Sequence, residues 1–152
     1  NQVTDVELTI VGEGPAVPEL KSLAESLGLG KRVTFKGWVP HADLSDYYRD
    51  ADLFVHPARL PEPFGRTLLE AMQCDTPAVV SNSGGPPWVV GDAGVSFPTE
   101  DETHLASKIC ELQEDNSRLQ AIKNACQEEL SRFEPEAIVS DIEREYTRLC
   151  GW

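Results

Sequence analysis

Short apolar runs alternate along the chain with longer stretches whose apolar residues recur every three or four positions. The short runs are rich in β-branched residues, and Gly or Pro follows each of them within a few positions. This combination is typical of strands buried in a parallel sheet. Five runs are therefore predicted to be strands: residues 7–11, 32–35, 53–56, 78–80 and 95–97.

The longer stretches have the periodicity of amphipathic helices, with apolar residues on one face. Helices are predicted at residues 19–27, 43–51, 67–74, 102–112, 117–130 and 136–149. The last three have start signals at Asp101, Asn116 and Glu134-Pro135. Strands that alternate with helices predict an α/β fold built on a doubly wound parallel sheet, in which ligands bind beyond the carboxyl ends of the strands.

Length and composition narrow the class of protein. A chain of 152 residues fits one domain, residues 1–152, and it contains no apolar run long enough to span a membrane. Thirteen basic and 26 acidic residues give a net charge of −13, which disfavours nucleic acid as a partner. The acidity suits either ordinary solubility or a high-salt habitat, and composition does not distinguish these two.

The cysteines and histidines predict neither disulfides nor a metal site. The four cysteines, Cys74, Cys110, Cys126 and Cys150, form no C-x-x-C pair, and no His pair lies near them. We interpret them as reduced thiols of a cytoplasmic protein. No metal and no cofactor is expected.

The segment with the most chemical content follows the third predicted strand and opens a helix. Gly65 lets the backbone approach a ligand closely, and the first N–H groups of a helix have no partner within it. Together with the helix dipole, these groups form an anion site, to which Arg66 and the Thr67 hydroxyl add donors.

Two carboxylates, Glu62 and Glu70, flank this anion site at a spacing of eight positions. Carboxylates repel phosphate but accept hydrogen bonds from sugar hydroxyls. The arrangement predicts a ligand with a central phosphate and a sugar at each end, such as a nucleotide sugar. The simpler alternative is that both carboxylates only face water.

Three other strand-end loops carry weaker signals. The Gly84-Gly85 loop is equally consistent with a ligand loop and with a tight turn, and Gly12 belongs to a G-x-G that lacks the third glycine of the dinucleotide fingerprint. Gly37, Trp38 and Val39 could lie along a flat base, although a buried Trp at a strand end is more common. His56 could touch a ligand, but a structural, hydrogen-bonded histidine is the more common case.

From about Val6 to Tyr146 the chain resembles the C-terminal, nucleotide-binding domain of retaining glycosyltransferases with the GT-B fold, the sucrose- and glycogen-synthase-like and mannosyltransferase-like group. The matching segments are residues 8–15, 33–37, 51–57, 62–72, 84–85 and 91–94, and the Glu-x7-Glu element within 62–72 is the most specific. A sugar-nucleotide epimerase is disfavoured because those enzymes do not share this element in the same form.

The resemblance implies a role for each candidate residue. Glu70 would hold the donor ribose, and Glu62 would lie beside the transferred hexosyl group as the catalytic residue. The amides of Phe64 and Gly65 would line the sugar, and Gly37, Trp38 and Val39 would line the base. The remaining expected donor-binding residues are Gly12, Arg66, Thr67, Gly84 and Gly85.

The chain also departs from that family. The usual first strand and its Arg/Lys loop have no counterpart, so we expect an open sheet edge and self-association through it. Pro87-Trp88 stands where Pro-Glu is common, and Asp75 where Gly is common, a mild change because Asp tolerates the left-handed conformation. The N-terminal acceptor domain is missing, so we expect the isolated chain to be inactive. The alternative is a non-catalytic binding module with the same fold.

Overall fold

A computed structural model of the chain describes residues 6–151. It divides the chain into two compact units, residues 1–46 and residues 47–152. Each unit contains parallel strands connected by helices, as predicted.

The first unit pairs two parallel strands. Strand β1 (Leu8–Val11) is followed by helix α1 (Val17–Ser26) and strand β2 (Val33–Gly37). Leu8 lies opposite Val33, and directly after β1 the Gly12 N–H donates to the carbonyl of Gly37, the last residue of β2, at 2.7 Å. Among the described strands, β1 pairs only with β2.

A short helix, α2 (Leu44–Arg49), leads into the second unit. There the sheet has the order β3-β4-β5, with all three strands parallel. The strands and the two helices between them are β3 (Phe54–His56), α3 (Arg66–Gln73), β4 (Ala78–Ser81), α4 (Pro86–Val90) and β5 (Gly94–Phe97).

The core of the second unit lies on both faces of this sheet. Ala78 and Val80 of β4 pack in one cluster with Leu68 and Met72 of α3, whereas Val79 packs in a second cluster with Leu112. Successive side chains of a strand point to opposite faces, so the sheet is covered on both sides. This confirms the doubly wound arrangement, and the buried β4 explains the unbroken apolar run at residues 78–80.

Three helices close the chain: α5 (Glu102–Glu114), α6 (Asn116–Ser131) and α7 (Pro135–Cys150). Asp101 caps α5 by accepting the His104 N–H at 2.9 Å, as its position predicts. The predicted start of α6 is off by one residue. Asp115, whose backbone is not helical, accepts the Arg118 N–H at 2.9 Å, and Asn116 is already helical.

All four cysteines are free, as expected, and none forms a disulfide. Cys126 is fully buried in α6 against the core, and that burial raises the pKa of its thiol to about 11. The thiol therefore stays protonated at neutral pH and packs as a small apolar group.

Candidate functional site

The candidate site is an open cleft of about 560 Å³ at the carboxyl end of β3, within the second unit. Its size is in the usual range for small-molecule sites. Eight residues line it: His56, Glu62, Pro63, Phe64, Gly65, Arg66, Thr67 and Glu70. The structure thus places six of the predicted site residues in one cleft, on the loop that precedes α3 and on the first turns of that helix.

Gly65 makes the turn into α3 possible. It caps the helix in the left-handed region, at φ 86° and ψ 70°, and an added Cβ would lie 2.9 Å from Leu68 Cδ1. A side chain at this position would be strained and crowded, which explains the glycine. The turn leaves the N-terminal N–H groups of α3 at the cleft, where Arg66 and Thr67 are exposed.

Glu62 and Glu70 are both half-buried and both line this cleft, so neither faces only water. Glu62 reaches the cleft from the loop and Glu70 from the second turn of α3. Two acceptors and the positive end of a helix dipole therefore share one cavity, which is the arrangement that the sequence predicts.

Gly84 and Gly85 pack against the backbone of the loop that carries Glu62. The Gly85 N–H donates to the Glu62 carbonyl at 2.8 Å, and Gly84 forms a parallel bridge with Glu62. An added Cβ would overlap the Glu62 carbonyl at residue 84 and the Pro63 carbonyl at residue 85. The close approach that these glycines permit is thus between two backbone segments, and their contact with a donor stays a prediction.

Tyr48, a residue that the sequence analysis did not select, hydrogen-bonds one of the two carboxylates. Its hydroxyl donates to Glu70 Oε2 at 3.1 Å. Burial and the adjacent Glu70 charge raise the pKa of the Tyr48 hydroxyl well above its ordinary value, so it remains a donor across the physiological range. No local motif reveals this contact, because the two residues are 22 positions apart.

The expectation of a structural, hydrogen-bonded His56 is wrong for one ring nitrogen. Nδ1 is buried and has no hydrogen-bond partner within the described chain, whereas the ring meets Phe54 edge-on at 6.2 Å. His56 ends β3 in the wall of the cleft, and sequence alone does not show which neighbours its ring nitrogens meet there.

The first unit groups its own predicted residues at the carboxyl ends of β1 and β2. Gly12 bonds Gly37, and the Trp38 N–H donates to Glu13 Oε1 at 3.3 Å. The expectation of a buried Trp38 is wrong, because its side chain is 70% exposed. Gly37, at φ 68°, turns the backbone there, and Val39 beside it is half-buried. The base-binding role of these residues stays a prediction.

Two departures from the resembled family have structural explanations. Asp75 takes φ 56°, the left-handed conformation expected of it, and accepts a hydrogen bond from Gln127 at 2.7 Å. Trp88 on α4 is 61% exposed, packs edge-on against Phe133 and lies under the Arg132 guanidinium at 5.0 Å.

The described residues contain no cluster of three or more His, Cys, Asp or Glu placed to hold a metal ion. None of the helices in residues 6–151 is long and apolar enough to cross a bilayer. The expectation of metal-free chemistry stays a prediction.

The fold and the cleft define a class of α/β protein that binds its ligand beyond the carboxyl ends of parallel strands, at a helix N-terminus. Residues 1–128 match the family described as "Glycosyl transferases group 1", and the chain belongs to this family. Its fold is the Rossmann-like half of GT-B glycosyltransferases.

Two curated relatives show the extent of the similarity. D-inositol 3-phosphate glycosyltransferase of Thermobispora bispora is 34% identical over 90% of this chain and 32% of its own length. D-inositol 3-phosphate glycosyltransferase 1 of Catenulispora acidiphila is 39% identical over 74% of this chain and 27% of its own length. The chain thus spans between about a quarter and a third of the length of these relatives.

Two solved glycosyltransferase structures show a similar fold. The Anabaena protein Alr3699/HepE in complex with UDP and glucose superposes with a TM-score of 0.83 at 30% identity, covering 96% of this chain and 41% of that one. Sucrose-phosphate synthase of Thermosynechococcus elongatus gives a TM-score of 0.79 at 30% identity, covering 95% and 39%.

Proposed function

We propose that residues 1–152 form the C-terminal, nucleotide-sugar-binding domain of a retaining glycosyltransferase, which moves a hexosyl group from a nucleoside-diphosphate sugar to an acceptor. One observation carries the proposal: Glu62 and Glu70 share a cleft with the helix start at Gly65. The HepE structures solved with UDP and with UDP-glucose support it, because that protein has the same fold at about 30% identity.

Each group in the cleft has a chemical task in this proposal. The N–H groups at the start of α3, with Arg66 and Thr67, bind the diphosphate and stabilise the charge that grows on it as the glycosidic bond breaks. Glu70 accepts the ribose hydroxyls, and Glu62 lies against the sugar near its anomeric carbon. Gly37, Trp38 and Val39 receive the base.

Retention follows from where the acceptor attacks. The electron pair of the breaking bond leaves with the diphosphate oxygen, and the acceptor hydroxyl bonds to the anomeric carbon on the same face. The departing diphosphate is the nearest base for the proton of that hydroxyl. No step in this scheme requires a metal ion. The reduced cysteines expected from the sequence also lead us to propose that the protein acts in the cytoplasm.

The acceptor site belongs, in this proposal, to a preceding domain. The chain spans between about a quarter and a third of the length of the relatives reported above, which leaves room for one. Helix α7 also exposes a stripe of apolar side chains, and such a patch usually marks a protein contact. The stripe comprises Ile138, Val139, Ile142, Tyr146 and Leu149.

The 152 residues are expected to bind nucleotide weakly, because they lack a counterpart of the Arg/Lys loop that holds the diphosphate in the resembled family. They are expected to transfer no sugar, because the proposed acceptor site lies outside them. Isothermal titration with UDP and with GDP should give a Kd no tighter than about 0.1 mM for the preferred base. The 152 residues incubated with UDP-glucose or GDP-mannose and a range of sugar acceptors should yield no glycoside. Robust transfer by this chain alone would contradict the proposed division of labour.

A non-catalytic binding module is the second candidate. The exposed Trp88, which stands where the resembled family commonly has Glu, favours it. The two candidates differ in what the longer protein does. A glycosyltransferase consumes a nucleotide sugar in the presence of its acceptor, whereas a binding module retains the nucleotide sugar unchanged.

Self-association through open strand edges is also part of the proposal. Among the described strands, β1 pairs only with β2 and β3 only with β4, so one edge of each is available for pairing. Unpaired edges invite strand addition from another chain. Sedimentation equilibrium of the 152-residue chain would record this as an apparent mass that rises with concentration.

A further inference from the structure

The carboxylate of Glu70 is held in place by a residue that has no assigned role. The Tyr48 hydroxyl, at the end of α2, donates to Glu70 Oε2 at 3.1 Å. A hydrogen bond between a neutral donor and a carboxylate is stronger than one between neutral groups. The contact joins two elements, α2 and α3, that would otherwise place these side chains independently.

Tyr48 does not depend on Glu70 for its own position. Its backbone carbonyl accepts the hydroxyl of the buried Thr76 at 2.7 Å and the Ala51 N–H at 3.1 Å. Its ring meets Phe54 edge-on, with centroids 5.3 Å apart, and Phe54, the first residue of β3, packs against the buried core cluster. The hydroxyl is therefore a fixed donor, and Glu70 is the flexible partner that it restrains.

A free glutamate has three side-chain torsions and loses that freedom when it binds a ligand. A restraint that exists before the ligand arrives removes part of this loss. With Oε2 bonded to Tyr48, Oε1 and the second lone pair of Oε2 remain as acceptors. Two adjacent hydroxyls on one ring, as in ribose, match two acceptor positions on one carboxylate.

We propose that Tyr48 is a positioning residue that orients Glu70 to read both ribose hydroxyls, and so sets the preference of this site for ribonucleotides. The inference rests on the proposed function and extends it to the choice of sugar in the nucleotide. It gives Tyr48 an indirect role, because the tyrosine acts only through the carboxylate.

The test is Tyr48→Phe, which keeps the ring and its Phe54 contact and removes only the hydroxyl. Chemical-shift titration of the 152-residue chain would give Kd values for UDP, GDP and their 2′,3′-dideoxy forms. We expect the variant to bind the preferred ribonucleotide roughly fivefold more weakly, since one charge-assisted hydrogen bond no longer orients the acceptor. The Kd of the dideoxy form should stay within about twofold, because it offers Glu70 no hydroxyl.

Tyr146→Phe, the same change at an exposed position on α7, is the matched control and should leave all four Kd values unchanged. In a Glu70→Ala background, Tyr48→Phe should have no further effect on the preference for ribose, because the two act as one unit.

The outcomes separate the inference from the function on which it rests. Equal weakening of both nucleotide forms would show that Tyr48 only supports the fold and would overturn the inference. An unchanged preference for ribose in Tyr48→Phe would do the same. If the unaltered chain bound ribose and dideoxyribose nucleotides equally, or bound neither, the assignment of Glu70 itself would be wrong.

Discussion

Replacing Glu70 with alanine is expected to weaken binding of the preferred nucleoside diphosphate by about 10- to 100-fold. The half-buried carboxylate is the proposed acceptor for two ribose hydroxyls. Water replaces part of these two bonds in the variant, so we expect a net loss of about 1.5–3 kcal/mol, the value of a single hydrogen bond to a charged group. The Kd of Glu70→Gln should lie between those of the unaltered chain and Glu70→Ala, because the glutamine amide oxygen still accepts one hydrogen bond. Chemical-shift titration follows Kd into the millimolar range and so records the whole series.

Glu128→Ala on α6 is the control for the loss of one negative charge. Glu128 is exposed, lies in the same unit and does not line the cleft. Glu128→Ala should leave nucleotide binding unchanged, whereas a general charge effect would weaken or strengthen binding equally in Glu128→Ala and Glu70→Ala. An unaltered Kd in Glu70→Ala would remove the ribose role from this residue and, with it, the main support for a nucleotide-sugar site.

Replacing Gly85 with alanine is expected to destabilise the protein by about 2–4 kcal/mol, in the range of severe overpacking. The new Cβ would overlap the Pro63 carbonyl, and the backbone cannot move away without breaking the hydrogen bond from the Gly85 N–H to the Glu62 carbonyl. The loop that carries Glu62 would shift with it. Urea unfolding followed by circular dichroism measures the loss in free energy of unfolding.

Gly30→Ala is the matched control for this change. An added Cβ there meets its nearest neighbour, Glu25 Cγ, at an ordinary 3.7 Å, and the backbone needs no left-handed conformation. Its free energy of unfolding should change by less than about 1 kcal/mol. If Gly85→Ala unfolded at the same urea concentration as the unaltered protein, the packing of the Glu62 loop on the Gly84-Gly85 segment would not explain the glycines.

All five strands and every α-helix except the five-residue α4 were predictable because their signals are local. Apolar runs give the strands, and Gly65 marks the turn into α3 through its freedom of backbone conformation. The resemblance added the roles of Glu62 and Glu70, and the cleft that they share bears out the expectation that they lie together. Asp75 shows the same principle, because its tolerance of the left-handed conformation is a property of one residue type.

The features that sequence missed depend on contacts between distant positions. The bond between Tyr48 and Glu70 joins two residues that are 22 positions apart, and nothing in either segment records that contact. Gly84-Gly85 signals a close approach, but sequence does not show that the backbone of Glu62 and Pro63 lies against these glycines. Trp38 is exposed next to the turn at Gly37, which the general tendency to bury Trp does not anticipate.

The most direct test of the account is a titration of the ¹⁵N-labelled chain with UDP and with GDP, followed by amide chemical shifts. One nucleotide should move the amides of Gly65, Arg66 and Thr67 most, because the diphosphate lies on the start of α3. In Glu70→Ala the same shifts should need about 10- to 100-fold more nucleotide. Saturable shifts confined to helices α5–α7, with the three amides unmoved, would contradict it.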